Sequence, residues 1–188
     1  MPARRFLVPL AAAALLAGCG DRHLVLRVDV LSFIVPADRQ RDFGPIPAVP
    51  GGVATGEVAL VDNADVSLLQ GLGDATDIQD VTVTFDALAI DQDGSGEDTV
   101  RVYLADTQTD ARLTPPVVEQ IITLIPGQTT PAHAELSSDP RVVALFRQRN
   151  LHLTVTTSLR GPASGNALSG TFQLTGLRGV VIAGWKGF

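Results

Sequence analysis

The stretch VTVTFDALAI, residues 81–90, alternates without a break: Val81, Val83, Phe85, Ala87 and Ala89 share one side of an extended chain. Apolar residues two apart line one face of a strand but scatter around a helix, so this segment is a half-buried strand. TVRVYLAD repeats the pattern with Val100, Val102 and Leu104. Between the two lies DQDGSGED, residues 91–98, whose Gly94 and Gly96 tolerate the positive φ of a reversal. Two alternating strands around such a linker predict a β-hairpin with an extended tip. Its apolar face must be covered by a second layer, which restricts the architecture to sheet on sheet or helix on sheet.

The flanking segments supply more strands and almost no helix. HLVLRVDV sets Leu24, Leu26, Val28 and Val30 against Arg27 and Asp29, and so predicts a strand that begins at His23. From Pro36 to Gly56, prolines remove backbone donors and glycines loosen the chain, which reads as a long irregular crossing. EVALV and DVSLL read as short strands, and QGLGDATDIQD as a polar acidic connection. PVVEQIITLIPG also fits a helical face, but its β-branched content and its flanking prolines favour a strand. One helix is signalled near 140–149: Asp139 can cap it, Pro140 suits its first position, and Arg147 and Arg149 fall at the negative end of its dipole. LHLTVTTSL, the turn GPASGNA and SGTFQLTGLRGVVIAGW close the chain as a second hairpin. The expectation is all-β: one antiparallel β-sandwich over residues 23–188, in an immunoglobulin-like version, with a closed barrel as the alternative. No βαβ rhythm is present.

The first nineteen residues have a different character. Arg4 and Arg5 precede an apolar or small-residue run from Phe6 to Gly18, shorter than the roughly 20 residues that span a bilayer and interrupted by Pro9. Residues 1–18 are therefore expected to be a cleaved signal helix. At its end Leu16-Ala17-Gly18-Cys19 resembles the lipobox of bacterial lipoproteins, a Leu and two small residues before an obligatory Cys. The resemblance implies cleavage before Cys19, a diacylglyceryl group on its thiol, a further acyl chain such as palmitate on the new amino terminus, and residues 19–22 as a lipidated tether. Two or more chains anchor stably where one holds only marginally. The implied location is extracytoplasmic, on the cell membrane; Gly20 rather than Asp after the cysteine favours the outer membrane in a Gram-negative cell.

Removing residues 1–18 takes away Arg4 and Arg5 and no acid, which moves the formal charge from −6 to −8. That balance opposes nucleic acid and anionic headgroups, and seven Phe, one Tyr and one Trp are few for stacking on bases. Cys19 is the only cysteine, so the domain is held by its core without disulfides.

Candidate chemistry is sparse. Asp91, Asp93, Ser95, Glu97 and Asp98 begin like a calcium-binding EF-hand loop, but Val102 stands where the bidentate Glu belongs; Asp74, Asp77 and Asp80 could add oxygens. The competing reading is a solvated turn. His23, His133 and His152 lack zinc-site spacing, and His152 falls on the polar face of a strand, where a surface position is expected. Ser164 in GPASG is not a nucleophile elbow. The expected catalytic set is empty.

Three functions are weighed: a non-catalytic interaction or structural module that meets an envelope protein, carriage of a small lipophilic ligand past Phe85, Phe172 and Leu174, and an extracytoplasmic hydrolase. The first is expected, with candidate contacts at Phe43–Pro50 and the DQDGSGED tip, although Pro45, Ile46 and Pro47 are expected rather to pack along a sheet edge.

Overall fold

In the computed structural model, which describes residues 23–66, 76–105, 110–137, 139–147 and 151–185, the alternation of residues 81–90 is the middle of a longer strand whose inward set continues through Asp91. The strands are β1 (His23–Asp29), β2 (Gln40–Ile46), β3 (Thr55–Asp65), β4 (Thr76–Asp93), β5 (Gly96–Ala105), β6 (Val118–Leu124), β7 (Thr129–Ser137), β8 (His152–Arg160) and β9 (Leu168–Trp185). One sheet has the order β1-β9-β4-β7, with β2 also on β9; the other is β3-β8-β5-β6. All pairings are antiparallel. The chain is the all-β antiparallel sandwich expected, with α1 (Pro140–Phe146) as its short α-helix among the described residues. The expected signal helix and tether, residues 1–22, lie outside them.

The connectivity differs from the sequence reading. β4 and β5 are not a hairpin: β4 lies in the first sheet and β5 in the second, and the same holds for β8 and β9. β2-β9-β4-β7 facing β3-β8-β5-β6, with every connection from β2 to β9 except β5–β6 crossing between the sheets, is the order of a jelly roll with β1 added, not the ABED and CFG arrangement of an immunoglobulin domain. Turn residues say that the chain reverses. Whether the returning strand pairs with its predecessor or packs across from it depends on the other strands.

β2 is a second correction. The proline-rich stretch contains a strand, because β9 runs for 18 residues and has room along one edge for β1 at Arg178–Gly184 and β2 at Leu168–Gln173. Phe43 and Ile46 of β2 are buried, as the edge-packing reading of this stretch requires. The prolines did not prevent a strand because Pro45 sits at a break in the register, between Phe43 and Ile46. EVALV belongs to β3, which ends at Asp65, while residues 67–69 of the second expected short strand lie outside the described residues, as does Asp74.

Between the sheets Phe85, Leu153, Leu159, Leu168, Phe172, Leu174 and Leu177 are fully buried, and α1 adds Val142, Val143 and Phe146 at the end where the chain enters. As read from the sequence, Asp139 caps α1: its carboxylate accepts from the Arg141 N–H at 2.7 Å. Asp139→Ala should lower the unfolding free energy by about 1 kcal/mol, read as a lower denaturant midpoint with an unchanged slope.

Candidate functional site: uncharged loops above buried carboxylates

Four connections meet at one end of the sandwich: residues 47–54 between β2 and β3, 94–95 between β4 and β5, 125–128 between β6 and β7, and 161–167 between β8 and β9. The register places them together, since Ile46 and Asp93 pair with Leu168 and Ser169 at the start of β9, Thr55 pairs with Arg160 at the end of β8, and Gly96 pairs with Leu124. Read in order they are PAVPGGVA, GS, IPGQ and GPASGNA, without a charged residue among them. Val53 and Ile125 are 47% and 45% exposed there. His23, where the described chain begins, pairs with Gly184 at the opposite end.

These loops hold one another. The Val49 N–H donates to the Pro162 carbonyl at 3.2 Å, the Gly161 N–H to Ala54 at 2.8 Å, and the Asp91 N–H to Gln128 at 3.0 Å. The Asn166 side-chain amide donates to Asp93 Oδ1 at 2.9 Å. Gly94, at φ +77°, lies so close to the 161–167 loop that a Cβ there would meet the Ala167 carbonyl oxygen at 2.6 Å. Cross-tied loops with four prolines lose little entropy on contact, which suits a preformed surface. Of the expected contact regions, residues 47–50 and the turn at 94–95 reach this end together. The other two loops carried no signal beyond turn composition.

The five residues weighed as a calcium loop are not gathered into one cage. Asp93, Ser95 and Glu97 are exposed, whereas Asp91 and Asp98 are 2% and 0% exposed, in phase with the inward residues Ala89 and Val100. The strand alternation continues into the linker and divides the five residues between solvent and interior. Asp77 and Asp80 lie at the start of β4, at the far end of the sandwich. Among the described residues, no group of three or more His, Cys, Asp or Glu is placed to hold a metal ion.

Burial pushes the Asp98 carboxyl up to about 7, against the pull of the Arg101 guanidinium. Asp91 is also raised by burial; the backbone N–H of Asp93 lowers it and the Asp93 charge raises it, and that N–H falls short of hydrogen-bond geometry. Neither oxygen of either carboxylate has a hydrogen-bond partner. Gln120 Oε1 and Thr157 Oγ1 are likewise buried and unpartnered.

The histidines are dispersed. His23 is exposed at the start of β1, and His133 Nδ1 lies 2.7 Å from Asp86 Oδ1 on the outer face of the first sheet. His152 is buried rather than on the surface, with Nδ1 unpartnered; in β8 it pairs with Asp65 of β3 and Ala105 of β5. Ser164 is exposed on the 161–167 loop. Phe85, Phe172 and Leu174 are packed into the core. A void between the sheets, bordered by Val30, Val83, Leu104, Phe146 and Leu177, measures about 10 Å³, whereas a carried ligand needs roughly 300 Å³.

No protein-family model matches the sequence, and no curated protein matches it. Solved structures do. The structure of infectious bursal disease virus Gx strain aligns at 11% identity and a TM-score of 0.46 over 88% of this chain and 38% of that one. The Gt strain of the same virus aligns at 11% identity and a TM-score of 0.45 over 88% and 36%. Dimeric latent PorU from Porphyromonas gingivalis aligns at 7% identity and 0.33 over 89% and 13%. This chain thus spans well under half the length of each.

Proposed function

We propose that the protein is a lipid-anchored, non-catalytic interaction module of the bacterial cell envelope, which presents the uncharged loop end to a protein partner. One observation carries this reading: the chain enters the sandwich at His23, at the end opposite the four loops. A lipid on Cys19, four residues earlier, would keep the entry end at the membrane and turn the loops away from it. β4 alone has 18 residues and, at about 3.3 Å per residue, sets that surface roughly 60 Å off. Protein–protein interfaces are depleted of charge at their centres, and a rigid uncharged cap on an acidic domain fits that chemistry.

Photo-crosslinking amino acids at Val53 and Ile125 should each capture the same protein in intact cells, while one at Leu113, exposed at the entry end, should not. Capture from Leu113 alone, or no capture from the loop positions, would reject this orientation.

A further inference from the structure

We propose that the entry end of the sandwich seats in the surface of a zwitterionic membrane through Leu24, Val25 and Leu113, so that the domain stands docked instead of swinging on its tether. This seat presupposes the lipid on Cys19 proposed above. Leu24 and Val25 are 39% and 54% exposed at the start of β1, and Leu113, at 78%, is the most exposed large apolar side chain among the described residues. Leu113 ends a single turn, Ala111–Leu113, fastened near the same end of the second sheet. There the Ala111 N–H donates to Asn63 Oδ1 at 3.3 Å and Arg112 Nη2 donates to Asp62 Oδ1 at 3.0 Å, within three residues of the end of β3.

Neighbouring residues of a strand face opposite ways. Leu24 shares the inner side of β1 with Leu26 and Val28, which pack on the core, whereas Val25 is on the outer side, level with the half-buried Ile182 of β9. Exposed apolar side chains therefore stand at one height on both faces of the first sheet and again beside the second. A flat partner seated on one face would leave the others in water; a membrane that admits the whole rim covers them together. At about 3.3 Å per residue, an interfacial seat of roughly 5–10 Å takes in His23 to Val25 and stops short of Arg27, whose charge stays in water. His23 follows Cys19 by four positions, at most about 14 Å of extended chain, so an anchored Cys19 holds the rim within reach of the interface. Asp77 and Asp80 of β4 pair with Gly184 and Ile182 of β9 at that height, and these acids disfavour an anionic headgroup.

The test uses the lipid-modified protein, in which Cys19 has no free thiol, so that Leu24→Cys, Val25→Cys or Leu113→Cys each takes a bimane label at one place. In phosphatidylcholine vesicles the label at each of the three should shift its emission to shorter wavelength and lose intensity to lipids brominated high on their acyl chains. Labels at Val35→Cys and Val53→Cys should do neither. Val35 is the stringent control, because it is apolar and 60% exposed but lies beyond the far end of β1. Each labelled protein is first checked for native circular dichroism. An unquenched label at any of the three rim positions overturns the seat. Quenching at Val35, which would lay the domain on its β1 edge, or at Val53 equally overturns it. Mass spectrometry of the same samples separates the two readings: a lipid on Cys19 with unquenched rim labels rejects the seat and spares the anchor, whereas an unmodified Cys19 rejects both.

Discussion

Asp98→Asn should be more stable than the wild-type domain at pH 8 and no more stable at pH 4. A carboxyl held at about 7 when folded and 3.8 when unfolded binds its proton more tightly in the native state. Its contribution is fully present below pH 3.8, is lost as the pH rises toward 7, and above 7 the folded domain carries a buried unpaired charge. The linkage is worth about 4 kcal/mol at its limit. Asn cannot ionise and leaves only its own amide to be accommodated, so its stability should run nearly flat from pH 4 to 8. Some slope should remain from Asp91, which is raised in the same direction. Urea unfolding at half-unit pH intervals decides the matter; parallel curves for the two proteins would place the Asp98 carboxyl in contact with solvent.

The second large effect concerns the anchor. The mature protein should begin at Cys19 with a lipid-modified thiol and partition into the detergent phase, whereas Cys19→Ser should carry no lipid and retain residues 1–18. Each buried methylene of an acyl chain contributes about 0.8 kcal/mol to membrane binding, so losing two or more chains removes the anchor outright. Mass spectrometry of the intact amino terminus reads both outcomes. An unmodified Cys19 thiol in the wild-type protein would reject the lipoprotein reading and return that cysteine to the list of reactive groups.

Local pattern carried much of the architecture. Val81 to Ala89, Val100 to Leu104 and the Asp139-Pro140 start of α1 are legible because a side chain's face and a helix cap depend on residues at most a few positions away. The same rule read further would have found the buried acids: Asp91 continues the inward series Ala87 and Ala89, and Asp98 precedes Val100 by two. Turn composition obscured it, since Asp, Gly and Ser together signal a solvated tip. His152 is a different case. Its alternation pointed outward, yet it is 8% exposed, which no local pattern on β8 signals.

Most segment types, the reversal points and the single-cysteine amino-terminal motif were properties of neighbouring residues and could be read without a fold; β2 and β7 were not, since each is a strand only through its partner. Strand pairing was not: β4 and β5 could have paired as a hairpin, yet β4 pairs with β7 and β9 while β5 pairs with β6 and β8. Those choices join residues far apart in the chain, and their free energy comes from closing both sheets over one core. They also made the loop end. Four connections that each look like ordinary turns become one uncharged surface because strands of alternating direction return every second turn to the same end, where β2–β3, β4–β5, β6–β7 and β8–β9 each cross from one sheet to the other.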